Sequence, residues 1–352
     1  MAERTDRRRF LNTALAGSAG AGAFLSFEEK ILGAAIDGGV APAPGEAGYK
    51  KATTPVTPAA PAYTGEPLAR GRLGRLEVGR LILGGNLIGG WAHSRDLLYV
   101  SSLLRAYNTE TKVFETLALA ERSGITMIQV DPACFGMIER YRKEHGGRIQ
   151  TMVCIHPDPD DAKVSAEIND LVGRGADALY THGEVSDRCT RGGDLKTLAR
   201  AVALIRKAGV PAGIGSHSLE TPIAAESHDL GAEYYVKTFH PDTYWSATPK
   251  ERREEWCWYG PRGTDHDSYN DNMFCIDPER TEAFMKSVRK PWVAFKVMAA
   301  GALRPEVGFN FAFRRGADFV IAGMFDFQIA QDVEHAVKAL QRSRTRERPW
   351  MA

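Results

Sequence analysis

Eight hydrophobic runs, each followed by a stretch of helical period, occupy the chain from about residue 80 to its end, and nearly every run ends in an ionisable or amide side chain. Strands that alternate with helices at this spacing imply a parallel sheet. Eight even units favour closure into a single-domain (β/α)8 barrel over an open doubly wound sheet. In a closed parallel barrel the residues ending the strands converge on one mouth. The groups so gathered are Asn86, Asp131, His156, His182, His217, Lys237 with His240, Lys296 and Asp326, one set per run.

The strands are expected at 81–86, 126–131, 149–156, 178–182, 212–217, 234–239, 292–298 and 319–324. Helices are expected near 113–123, 136–145, 160–174, 194–208, 220–230, 278–289, 305–315 and 327–341, with a long loop through Trp91 and Tyr107 after the first strand. Side chains of a barrel strand point alternately to the core and to the helices. Ile128 and Val130 suit the helix side, which leaves Met127, Gln129 and Asp131 inside. Val153 and Ile155 face out, so His156 shares the inner parity of Met152 and Cys154. Placing Val293, Phe295 and Val297 outward turns Lys296 inward, and Lys237, between Val236 and Thr238, is expected to do the same.

A chain of 352 residues, 43% hydrophobic and 25% charged, has ample material for one barrel with an N-terminal appendage. The net charge is +1 and the basic residues are dispersed, which argues against a nucleic-acid partner and leaves a small-molecule substrate as the default. Arg7-Arg8-Arg9-Phe10-Leu11, followed by a mildly apolar stretch to Phe27, resembles a twin-arginine translocation signal. That resemblance implies a signal segment over 1–35, the export machinery as partner, a periplasmic or secreted location, and membrane contact only through the signal. Residues 36–70, dense in Ala, Pro, Gly and Thr, read as a flexible linker, and the barrel as 71–345. Five cysteines, Cys134, Cys154, Cys189, Cys257 and Cys275, lack a C-x-x-C pair or regular spacing and read as reduced structural thiols.

Over roughly residues 73 to 220 the chain resembles the aldo/keto reductases, barrel enzymes that use NADPH. The segment from Gly124 through Asp131 to Gly136 is similar to that family's second-strand motif. Asp177-Ala178-Leu179-Tyr180-Thr181-His182-Gly183 is similar to its fourth-strand motif ending in the active-site His, and Ile214-Gly215-Ser216-His217 to its fifth-strand segment near the nicotinamide. The resemblance implies catalytic roles for Asp131 and His182. Phe135 stands where the family has its proton-donating Tyr, and Cys154-Ile155-His156 where it has its Lys. Hydride transfer to a carbonyl needs a proton donor, so ordinary reduction is put in doubt.

The second half resembles class I aldolases of the deoxyribose-phosphate type in short pieces. Tyr235-Val236-Lys237-Thr238 is similar to their sixth-strand Schiff-base segment, and Phe295-Lys296-Val297-Met298-Ala299-Ala300-Gly301 to their seventh-strand lysine segment. An imine forms only from an unprotonated amine, and burial or a neighbouring cation lowers a lysine's pKa enough for that. A metal centre is a third option: His156, His182, His217 and His240, with Glu184 and Asp326, offer three ligands and an open position, although no H-x-H or H-E-x-x-H pattern is present. The insertion 241–277 carries Tyr244, Trp245, Trp256, Trp258, Tyr259, His266 and Asp267, a composition suited to stacking on sugar faces above the mouth, or to a packed lid.

The combined expectation is an exported barrel enzyme that performs lyase or isomerase chemistry on a carbonyl-containing, carbohydrate-like small molecule. Lys237 and Lys296 act on the carbonyl, His182 and His217 carry protons, and Asp131 orients them. Asn86, His156, Glu184, His240, Tyr244, Trp245 and Asp326 bind substrate. No cofactor is needed for Schiff-base chemistry; a divalent metal or NAD(P) belongs to the alternatives, which are a metal-dependent lyase or hydrolase, an NAD(P)-dependent reductase, and a non-catalytic sugar-binding barrel.

Overall fold

Eight parallel strands close on themselves into a barrel, each pairing with its neighbours in chain order and the last pairing also with the first. They are β3 Leu81–Gly84, β4 Met127–Val130, β5 Gln150–Ile155, β6 Ala178–Thr181, β7 Ala212–Ser216, β8 Tyr234–Thr238, β9 Trp292–Phe295 and β10 Phe319–Ala322. The computed structural model describes residues 56–92, 97, 99–253, 255 and 274–352. The expected signal segment 1–35 lies outside the described residues, as do Cys257, Trp256, Trp258, Tyr259, His266 and Asp267. No helix among the described residues is long and apolar enough to cross a membrane.

Two hydrophobic layers follow from strand alternation. Ile82, Met127, Met152, Cys154, Ala178, Tyr180, Tyr234, Val236, Val293, Phe319 and Ile321 fill the barrel interior. Leu81, Leu83, Ile128, Val130, Val153, Ile155, Leu179, Ile214, Tyr235, Ala294 and Val320 pack outward against helix residues such as Leu117, Ile138, Ile168 and Val202. Room for Tyr180 and Tyr234 inside comes from β7, where a Cβ on Gly213 would sit 2.4 Å from the Tyr234 ring and one on Gly215 would sit 2.5 Å from the Thr181 carbonyl. Helix starts are set by short acceptors: Asp131, Asp160, Asp194 and Asp277 each accept a backbone N–H of the first turn that follows.

An antiparallel hairpin, β1 Arg70–Leu73 and β2 Leu76–Gly79, precedes the barrel and sends Leu73 and Val78 into its interior at the end opposite the mouth. Two sequence expectations fail nearby. The stretch read as linker is packed from residue 56 onward, where Val56, Ala60, Ala62 and Tyr63 lie against the outer layer and the Tyr63 N–H donates to Ser123 Oγ at 3.1 Å. The loop after β3 contains the helices Asn86–Gly89 and Tyr99–Tyr107. Small apolar side chains scattered among prolines can pack individually without any periodic signal, which is why this stretch read as linker.

The last residues, 346–352, seal the same end. Asp318 is fully buried just before β10 and takes Arg346 Nη2 at 2.8 Å, Arg348 Nη1 at 2.7 Å and the Trp292 and Met351 N–H groups at 2.9 Å each. Arg80 adds a bond from Nη1 to the Asp318 carbonyl at 2.8 Å, and its guanidinium lies 4.0 Å from the Trp350 ring centroid.

Asp332, in the helix Asp326–Arg342, is buried with Oδ2 unpartnered among the described residues, and burial pushes its carboxyl up to about 7. The native state therefore keeps a proton that the unfolded chain releases at ordinary carboxylate pH, so stability is lost as pH rises from about 4 to about 7. Asp332→Asn, which copies the protonated form, gains on the wild type across that window, by on the order of 2–4 kcal/mol once pH exceeds about 7. Urea unfolding at pH 4 and pH 8 checks this, and an equal difference at both would refute it.

Candidate active site

The floor of the mouth is built by β4, β5 and β6. Asp131 ends β4 and caps the helix Pro132–His145 through Oδ1, which accepts the Ala133 N–H at 2.9 Å. Its other oxygen accepts from the Cys154 thiol, with S···O at 3.7 Å. Burial pushes that thiol well up, and Asp131 adds to the effect, so Cys154 is an inert wall and not a nucleophile. One layer deeper, Gln129 Nε2 donates to the Tyr180 hydroxyl at 2.8 Å.

His156 and His182 end β5 and β6 with the inward parity expected of them, and their rings stack with centroids 5.2 Å apart and planes 24° apart. The two imidazoles sit in opposite electrostatic conditions. Glu167, bonded to His156, raises its pKa. His182 is pulled down to about 4, first by burial and then by the charge of His156, so it is a neutral imidazole at neutral pH. Its Nδ1 is buried without a hydrogen-bond partner among the described residues.

Lys296 enters the mouth by a route that alternation does not predict. Val293 and Phe295 face the interior and Ala294 faces out, the reverse of the expected assignment. Strict alternation would send Lys296 toward the helices, but β9 stops at Phe295 and Lys296 adopts φ +54°, a left-handed conformation that re-aims the side chain. Ala299 and Ala300 are also left-handed, at +46° and +54°. Non-glycine residues held there cost on the order of 1–2 kcal/mol each, and strain of this kind clusters at functional sites. The Lys296 Nζ rests 3.9 Å from the Phe274 ring centroid. It is near enough to His182, Glu184 and Asp187 to interact electrostatically, and burial pulls its amine down to about 7.

His217 completes this side. Its Nδ1 is 3.1 Å from Asp187 Oδ2, its backbone N–H donates to the same oxygen at 2.8 Å, and its ring lies 5.5 Å from that of Phe295. Asp187 is fully buried and also accepts from the Thr221 hydroxyl at 2.8 Å and the Ser218 N–H at 3.3 Å. Burial pushes its carboxyl up to about 8 while these donors pull it back, and the carboxyl sits within hydrogen-bond reach of the His217 ring.

Other expected members are engaged elsewhere. Lys237 shares the parity of outward Tyr235, not of inward Tyr234 and Val236; it is buried between strand and helices, and its Nζ donates to Thr238 O and Oγ1 at 2.8 Å each. His240 has both ring nitrogens committed: Nδ1 to the Pro241 carbonyl at 2.9 Å, and Nε2, which accepts the N–H groups of Phe274 and Cys275 at 3.0 Å each. It is a structural anchor for the chain returning from the insertion, not a ligand. Asp326 accepts the Tyr107 hydroxyl at 2.6 Å and pairs with Lys112 Nζ at 3.1 Å, tying mouth-rim helices together. Asn86 opens the short helix Asn86–Gly89 at the mouth end of β3. Tyr244 packs edge-on to His240, and Trp245 is 94% exposed. Among the described residues no three His, Cys, Asp or Glu side chains converge to hold a metal ion, which removes the geometric support for the metal centre.

Sequence reasoning missed Asp187, Glu167 and Phe274. Asp187 lies one helical turn after Glu184 and carried a recoverable signal, since i and i+3 share a helix face. Glu167 and Phe274 come from a helix and a returning loop that only folding brings to the mouth.

No protein family model matches this chain, and no curated protein is significantly similar to it. Among solved structures, a Pseudomonas aeruginosa protein assigned as an aldo-keto reductase superposes with a TM-score of 0.52 at 17% identity, covering 78% of this chain and 97% of that one. A second structure described in the same terms gives 0.51 at 17% identity, with 78% and 98% covered. A Coccidioides immitis protein assigned as a deoxyribose-phosphate aldolase overlaps more weakly, at 0.38, with 14% identity and 67% and 80% covered. The shared property at these identities is the barrel fold.

Proposed function

We propose that this chain is a barrel enzyme that acts on a carbonyl-containing, carbohydrate-like small molecule through an imine on Lys296, with a lyase or isomerase outcome. The reading rests on one observation: a half-buried lysine amine at the mouth, brought down to about 7 by desolvation and sharing its surroundings with neutral His182 and the His217–Asp187 pair. At neutral pH a large fraction of such an amine is unprotonated. Its lone pair attacks the carbonyl carbon, a C–N bond forms, and the carbonyl oxygen takes a proton to give a carbinolamine. Loss of that hydroxyl as water leaves a protonated imine. The protonated imine accepts the electron pair of a bond on the neighbouring carbon, which leaves an enamine: a C–H bond breaks with its proton passing to His182, or a C–C bond breaks as the hydroxyl beyond it gives its proton to His182. Return of that proton to the enamine carbon restores a protonated imine, which water hydrolyses to release the product and free Lys296.

A second reading, carbonyl reduction with NAD(P), draws on the fold similarity and on Asp131 and His182. The side chains do not fit its acid. Phe135 lacks a hydroxyl and packs in the outer layer beneath the Arg174 guanidinium, 5.1 Å from its ring, and the resemblance sets Cys154-Ile155-His156 where the reductases have their lysine.

Sodium borohydride added with pyruvate, glycolaldehyde or dihydroxyacetone reduces any imine to a stable secondary amine. Peptide mass spectrometry is expected to find that adduct on Lys296. Labelling confined to Lys237, or turnover of a probe without label on Lys296, would overturn the imine reading.

A further inference from the structure

Glu167 lies in the helix Asp161–Gly173, outside β5, and no sequence pattern ties it to the mouth. Its carboxylate nevertheless grips His156 at two points. Oε2 accepts the His156 backbone N–H at 3.2 Å, and Oε1 faces ring Nδ1 at 3.1 Å. A ring held at its own backbone and at one nitrogen has little freedom to turn, and this fixed ring is the one stacked on His182.

We propose that Glu167 is a positioning residue: its carboxylate fixes the His156 ring face to face with His182 and sets its negative charge beside that ring, which leaves His182 to serve as the base toward substrate. The role of His182 as base rests on the imine reading; the electrostatic arrangement does not. Every charged group facing the pair enters the balance. Around His182, Asp131 from the end of β4 favours protonation, whereas His156, Lys296 from the end of β9 and Arg188 from its own helix oppose it. Around His156, Glu167 and Asp131 favour the cation, and Lys163, one turn before Glu167 and paired with Asp158, opposes it. Two imidazoles this close titrate as a pair; burial of His182 and the Glu167 carboxylate beside His156 both favour the proton on His156.

The test is a pH titration of ring Cε1–H signals in the full-length protein carrying 13C-labelled histidine, without substrate, with His156→Asn and His182→Asn variants assigning the signals. In the wild type, His156 is expected to titrate above 6.5 and His182 near 4. Glu167→Gln keeps one oxygen to accept one of the two bonds and removes the charge. It is expected to lower the His156 midpoint and to raise that of His182. His156→Asn, which removes the cation without touching Glu167, is expected to raise the His182 midpoint as well. A His182 midpoint that stays put in both variants would overturn the proposal, as would a wild-type His156 that titrates below 6.5. Failure of borohydride to label Lys296 leaves this titration readable, so the two ideas fail separately.

Discussion

Lys296→Met is expected to lower kcat by on the order of a thousandfold or more while the barrel stays folded, because the proposed imine cannot form without the Lys296 amine. Methionine keeps the length of the stem and its contact with Phe274 but cannot form an imine. Wild-type turnover climbs as pH rises through about 7, following loss of the proton from Lys296. The stability of the variant moves the other way. Burial disfavours the lysine cation, so the native state binds fewer protons than the unfolded chain between about 7 and the ordinary lysine value of 10.5. Wild-type stability therefore carries its full penalty below about 7 and recovers as pH rises toward 10.5. Lys296→Met is accordingly more stable than the wild type at pH 6, with an advantage that fades by pH 10, the usual exchange of stability for activity at a strained site. A pH–rate profile and thermal unfolding at the two pH values check both halves. Retention of more than a tenth of wild-type turnover would end the case for Lys296.

Asp318→Ala destabilises the barrel by about 3–5 kcal/mol, the scale for leaving buried cations without their counter-ion. Arg346 and Arg348 both lie buried on its carboxylate, and the same two oxygens hold the N–H groups of Trp292 and Met351. Burial already pulls the Arg346 guanidinium down to about 10, with Asp318 pulling it back, which shows that the carboxylate is what keeps this cation tolerable. Asp318→Asn preserves shape and some hydrogen bonds but not charge, and is expected to lose a large share of the same energy. Pairing Asp318→Ala with Arg348→Met removes one stranded charge and recovers part of the loss. Equilibrium urea unfolding measures all three, and a loss below about 1 kcal/mol for Asp318→Ala would refute the assignment.

The strand ends on β4, β5 and β6 were readable because these strands alternate without interruption up to their last residue. Asp131, His156 and His182 therefore stand where parity puts them, inside the mouth. The same reasoning misplaced Lys237, since a lysine between Val236 and Thr238 can belong to either face, and only the inward packing of Tyr234 and Val236 shows which. It reached Lys296 by the wrong path, because the side chain faces the mouth through a left-handed backbone and not through strand parity. His240 looked like a member of the ring, yet its nitrogens are taken by three backbone groups of the returning insertion.

The sequence by itself determined the eightfold alternation, the identity of the groups at the strand ends, and the absence of the reductase Tyr and Lys, since these are written in local period and residue type. Which of those groups share one space was decided by tertiary structure alone. Glu167, Asp187, Phe274 and Lys296 come from segments far apart in the chain. Their influence on His156, His182 and one another falls off with distance in space, which local sequence does not encode.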